Sequence, residues 1–149
     1  MSYLYIDTGR TPHWKKPDNV VVEKSFSQLY KGVFKIFAQI STPCAKNLFL
    51  WTINESDKWN KVSLNKSGRG SFNAACRMSG EQYADGTIKK AIGELLRIGA
   101  MVSMSDDGKR ESAYMINPYF VWKTKSKTDR YESIKAFINI LKENEGNQI

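Results

Sequence analysis

The side chains able to do chemistry in this sequence are few and scattered. There is one histidine, His13, and there are two cysteines, Cys44 and Cys76. No Cys-x-x-Cys pair occurs, so the ligand spacing of the common zinc sites is missing. A Ser-His-Asp arrangement would have to recruit His13 from a stretch broken by Gly9, Pro12 and Pro17. Lys66-Ser67-Gly68-Arg69-Gly70 is basic and carries glycine, yet it is too short for a Gly-x-x-x-x-Gly-Lys-Ser/Thr phosphate loop. A strand-nicking tyrosine would want a histidine-lined metal site, which one histidine does not furnish. Neither catalysis nor a metal or cofactor is expected.

What the chain has in surplus is positive charge. Its 23 Lys and Arg against 15 Asp and Glu give a net charge of +8, with a pI near 9.5. Such a surplus favours contact with nucleic acid or an anionic membrane surface, and otherwise a merely solvated exterior. No apolar run approaches the roughly 20 residues of a membrane span, and the opening MSYLYIDTGR lacks the apolar core of a signal peptide. Cys44 and Cys76 sit in apolar helical settings and read as buried thiols of a reducing, cytoplasmic protein.

The cations need a scaffold, and the stretch from Asp85 to Pro118 supplies one. Ile88, Ala91, Ile92, Leu95 and Ile98 recur at helical spacing, with Asp85 as the N-cap and Gly99 at the stop. Ala100–Met104 and Ser112–Ile116 then read as strands joined across Asp106-Asp107-Gly108-Lys109. Helix followed by hairpin is the trace of a winged helix-turn-helix. The expected fold is therefore mainly α with a small β-hairpin wing, carrying extra helices at both ends.

Around that centre, residues 1–19 read as an irregular arm and Val20-Val21-Val22 as a short strand. Phe26, Leu29, Tyr30, Val33, Phe34, Phe37 and Ile40 give helical spacing, although Phe34–Phe37 also alternates as a strand does. A helix over Cys44–Asn54 is capped by Thr42 or Ser41, with Pro43 at its first position. Lys58–Asn65 reads as an edge strand, Lys66–Gly70 as a loop, and Ser71–Met78 as a short helix. Ser79-Gly80-Glu81-Gln82 resembles a capping box. The main domain spans 20–123. Residues 124–149 form a basic linker and a last helix, capped by Asp129, whose stripe is Tyr131, Ile134, Phe137, Ile138 and Leu141.

With its apolar side inward, the Asp85–Ile98 helix presents Gly86, Thr87, Lys90, Gly93, Glu94 and Arg97 outward, with Lys89 at the edge. Thr87 and Lys90 lie where the second helix of a helix-turn-helix reaches base edges or phosphates, and the two glycines would let a duplex come close. Against this, Lys90 and Glu94 stand four apart and could form an ordinary solvated ion pair. Lys109 and Arg110 sit at the hairpin tip, where Asp106 and Asp107 oppose phosphate contact. Lys66, Arg69 and Arg77 lie before the turn and would add salt-sensitive affinity.

Three segments, Asn60-Lys61-Val62-Ser63-Leu64-Asn65, Thr87 through Leu96, and Tyr114-Met115-Ile116-Asn117-Pro118, resemble the RepL family of plasmid replication proteins over roughly residues 26–123. The resemblance implies a winged-helix protein that binds plasmid or phage origin DNA and helps to start replication. It carries DNA contact onto Thr87, Lys89 and Lys90, and onto the wing at Lys109 and Arg110. Between Leu64 and Thr87 the chain departs from the pattern with a longer turn region. Double-stranded DNA is the expected partner, with host replication proteins as candidates for a second. A homodimer through the last helix or the Phe26–Ile40 stripe is the weaker expectation, because either stripe could pack on its own domain. A transcriptional regulator and a protein-docking module, using Tyr119–Trp122 or the last helix, are the alternatives.

Overall fold

The computed structural model describes residues 27–104 and 113–146. The N-terminal arm with His13, the Val20–Val22 strand, Phe26 and the hairpin tip with Lys109 and Arg110 lie outside the described residues. In chain order the elements are β1 (Gln28–Leu29), α1 (Val33–Ala38), α2 (Pro43–Glu55), β2 (Lys61–Ser63), α3 (Lys66–Cys76), a 3-10 turn (Arg77–Ser79), α4 (Asp85–Arg97), β3 (Met101–Ser103), β4 (Ala113–Ile116), β5 (Val121–Trp122) and α5 (Lys127–Gly146). The architecture is mainly helical, with a three-stranded antiparallel sheet in the order β2-β4-β3 and a two-stranded one pairing β1 with β5.

Helix α2 starts where the sequence places it. The Thr42 hydroxyl accepts from Ala45 N–H at 3.3 Å, and Pro43 occupies a first-turn position that needs no donor. Its Ala45, Leu48 and Phe49 meet Ile88, Ala91, Ile92 and Leu95 of α4 in the main core, to which Phe72 of α3 adds a large ring. Gly99 ends α4 with φ +80°. Gly99 N–H donates to Leu96 C=O at 3.2 Å, and Ala100 N–H donates to Leu95 C=O at 3.0 Å. That bond pair is a Schellman stop, and it turns the chain straight into β3.

Strands β3 and β4 are covered on both faces, whereas the edge strand β2 leaves Lys61 and Ser63 exposed. Met101 and Ile116 face the main core, while Val102 and Met115 pack under Phe137, Ile140 and Leu141 of α5. Asn60 ties the sheet to β5. It is fully buried with φ 63°, and its side-chain amide donates to Ile116 C=O at 3.1 Å and to Val121 C=O at 2.7 Å. Asn117 closes the other end, receiving Tyr119 N–H on its side-chain oxygen and donating its amide to Gly99 C=O at 3.1 Å.

Several local expectations need correction. The helix expected from the Phe26–Ile40 spacing is only the six residues of α1, because Gln28-Leu29 is taken by β5. Lys66–Gly70 is the first turn of α3, not a loop. Asn65 caps it by accepting from Gly68 N–H at 2.8 Å, and a Cβ at Gly68 would overlap the Ser63 carbonyl. Ala84, with extended backbone, is the N-cap of α4, so Asp85 is its first helical residue. Likewise α5 starts at Lys127, and the Ser126 hydroxyl accepts from Asp129 N–H. No capping box forms at Ser79–Gln82, because Ser79 closes the 3-10 turn, its hydroxyl donating to Cys76 C=O at 2.9 Å, and Gly80 (φ +80°) turns the chain away. On α5, Phe137 and Leu141 pack inward but Tyr131 and Ile138 are exposed, so much of the stripe is spent within the chain.

Candidate nucleic-acid interface

The link between α3 and α4 fixes how the two helices stand to each other. Asn73 and Tyr83 exchange two hydrogen bonds at 2.9 Å, side-chain amide to C=O and N–H to amide oxygen. The Phe72 and Tyr83 rings stack at 6.2 Å with planes 4° apart. The Tyr83 hydroxyl donates to Glu81, and that bond, helped by burial, pushes its phenol up to about 12. The stretch between α3 and α4 is thus a hydrogen-bonded bracket.

On α4, Ile88, Ala91, Ile92 and Leu95 are buried, while Gly86, Thr87, Lys89, Lys90, Gly93 and Arg97 are exposed. Neither Lys90 nor Arg97 makes an ion pair with another described residue. Glu94 corrects the expected outward face. It is buried at 6% exposure and accepts from Ser41 N–H, from the Ser41 hydroxyl at 3.1 Å and from the Thr42 hydroxyl at 3.0 Å. The solvated Lys90–Glu94 pair does not form. The outward face therefore loses its one carboxylate, and α4 gains a clamp on the start of α2.

Burial raises the Glu94 pKa, but the Ser41 and Thr42 hydrogen bonds and the Arg97 charge outweigh it and hold the carboxyl below its ordinary 4.5. A folded-state value below the unfolded one contributes stability that is present above about pH 4.5 and is lost as pH falls through the lowered value. Glu94→Gln is therefore expected to cost roughly 1–2 kcal/mol at pH 7, and the difference should close toward pH 3. Urea unfolding of both proteins across that range checks it, and a gap independent of pH would refute it.

The basic residues before the turn gather partly beside α4. Lys66, Arg69, Gly70 and Asn73 of α3 face Asp85, Ile88 and Lys89 of α4 across an open cleft of about 480 Å³. Arg69 is largely committed within the chain. Its Nε donates to Asp85 at 2.7 Å and its Nη1 to Leu64 C=O at 2.9 Å. Lys89 reaches the other Asp85 oxygen at 3.5 Å. The Arg69 hydrogen bond, against a smaller effect of burial, lowers the Asp85 pKa, and the Arg69 and Lys89 charges add to it. Arg77 lies apart from this cleft in the 3-10 turn, where the Gln82 amide oxygen, turned toward it, accepts from its guanidinium. Lys66, Arg69 and Lys89 thus converge, Thr87, Lys90 and Arg97 share the open face of α4, and Arg77 is separate.

Two features escaped sequence reasoning. Glu94 lies about 60° round the helix from Ala91, at the margin of the apolar face, and that angle was the available signal. Asp85 sits at the helix start, where a capping role masks an ion-pair role. Cys44 and Cys76 are unpaired and buried as expected, and burial, with smaller contributions from Cys76 and Glu81, pushes the Cys44 thiol up to about 11. Among the described residues no cluster of His, Cys, Asp or Glu could hold a metal ion, and no helix is long and apolar enough to cross a membrane. No family model, curated protein or solved structure matches the chain.

Proposed function

We propose that this chain is a winged helix-turn-helix protein that binds double-stranded DNA sequence-specifically through α4, in plasmid or phage replication initiation. The observation that carries the proposal is the outer face of α4, where Thr87, Lys90, Gly93 and Arg97 are exposed while the adjacent carboxylate of Glu94 is turned inward. The order helix, strand, helix, helix, strand, strand, with β4 between β2 and β3, supports the winged-helix assignment. In that assignment α3 crosses the DNA backbone, α4 enters the major groove, and the antiparallel pair β3–β4 belongs to the wing. Replication rather than transcription is proposed on the likeness to the RepL family alone. Within this fold, two of the segments that carry that likeness meet, since the Asn60 amide bonds Ile116 C=O.

The glycines of the face add a physical reason. A Cβ at Gly86 or Gly93 would meet open space, so packing within the chain does not require glycine there. Each glycine inside a helix forgoes about 0.5–1 kcal/mol relative to alanine. Close approach of a partner explains that cost. Gly93→Ala is expected to raise stability by about that amount and to weaken duplex binding about tenfold, because the new methyl stands between helix and groove. Thermal unfolding and fluorescence-anisotropy binding to a labelled duplex test both signs. Unchanged affinity in a stabilised Gly93→Ala protein would count against α4 as the docking face.

The docking-module alternative loses surface in this fold, since Val121 and Trp122 are buried and leave Tyr119 as the exposed ring of that cluster. For a homodimer, Leu29, Phe34, Tyr131 and Ile138 are exposed apolar positions that a second copy could cover.

A further inference from the structure

The α3–α4 cleft holds three cations and one anion, and the anion stands between two of the cations. Asp85 accepts from Arg69 Nε at 2.7 Å through one oxygen and faces Lys89 Nζ at 3.5 Å through the other. Lys66 lines the same cleft. Asp85 is not buried by this arrangement, because its side chain keeps 55% of its exposure, as does 62% of Lys89. The Lys89–Asp85 pair is a surface contact that contributes little to stability, whereas the Arg69 side chain is 13% exposed and is also held by Leu64 C=O. An acid at the first position of α4 could serve the helix dipole without engaging α3 at all. The geometry instead gives two cations of one cleft a shared oxyanion partner. Gly70 lies on the same wall, and a Cβ there would meet open space, so nothing in the chain occupies the position beside it.

We propose that the α3–α4 cleft seats a backbone phosphate of duplex DNA and that Asp85 is its built-in competitor, occupying Arg69 and Lys89 until a phosphate displaces it. The inference rests on duplex binding through α4. A carboxylate in this place takes a toll on every phosphate contact, whatever the sequence, so it lowers affinity for unrelated DNA. Sites whose bases α4 reads well can offset that toll. Asp85 is thus a specificity-determining residue that need not touch a base.

The test measures binding of the full chain and of Asp85→Asn to an unrelated duplex across a potassium chloride series. The variant is expected to bind about fivefold tighter near 0.1 M salt, with a log–log salt slope steeper by about one contact. Asp85→Ser, which also removes the carboxylate, should behave alike and serves if the asparagine variant folds poorly. Replacing chloride by inorganic phosphate at constant ionic strength should leave the affinities within twofold. Competition by millimolar phosphate would make the cleft a free-ion site and overturn the proposal. Wild-type binding with no gain in either folded variant would overturn it while leaving duplex binding through α4 standing. Absence of duplex binding by all three proteins would overturn both.

Discussion

Asn60→Ala is expected to destabilise the fold by about 3 kcal/mol, the largest loss from any single side chain considered. Two physical terms combine. The side-chain amide donates to two buried carbonyls, those of Ile116 and Val121, and alanine would leave both without that donor. The backbone also sits at φ 63°, a left-handed conformation that asparagine tolerates and alanine resists. Asn60→Gly separates these terms, relieving the backbone while still losing the amide, so it should cost clearly less than alanine. A fall in the urea midpoint with unchanged slope is the expected signature. A loss below about 0.5 kcal/mol in Asn60→Ala would mean that the three-way junction of β2, β4 and β5 is not held by this residue.

The second large effect is on binding. Removing both Lys90 and Arg97 by alanine is expected to lower duplex affinity about a hundredfold at moderate salt and to flatten the log–log salt slope by about two contacts. Both side chains are exposed and without an ion-pair partner among the described residues, so truncation disturbs little of the fold. Stability should change by less than about 0.5 kcal/mol. Loss of one base contact would also reduce discrimination between sites, whereas loss of phosphate contacts alone would weaken all sites equally. Comparing preferred and unrelated duplexes separates the roles of the two residues.

Much of the architecture was legible because its signals are local. The Thr42-Pro43 start of α2, the apolar face of α4, the Gly99 stop and the pairing of β3 with β4 each rest on residues close in sequence. The misplaced elements depend on distant partners. Gln28 and Leu29 belong to a strand because Trp122 and Val121 lie opposite them. Lys66–Gly70 is helical because Asn65 caps it and Gly68 fits against Ser63, whereas its composition of lysine, serine, arginine and two glycines reads as loop. Glu94 turned inward because the Ser41 amide and the Ser41 and Thr42 hydroxyls needed an acceptor, a pairing across more than fifty residues.

The site was legible at the level of faces and not of pairs. Helical periodicity alone identified Thr87, Lys90 and Arg97 as outward and the apolar residues as inward. Which cations are free and which are tied could not be read that way. Arg69 and Asp85 stand sixteen apart in sequence and meet only because the Tyr83 bracket folds α3 back onto α4.

Equilibrium binding of the purified full chain to fragments of the DNA molecule that encodes it, against unrelated duplex and across a salt series, addresses the central claim. The account predicts one preferred fragment, bound at least about a thousandfold more tightly than the rest, with that preference lost when Lys90 and Arg97 are alanine. Equal, steeply salt-dependent binding to every fragment would contradict sequence-specific recognition by α4, and no binding at low salt would contradict DNA binding altogether.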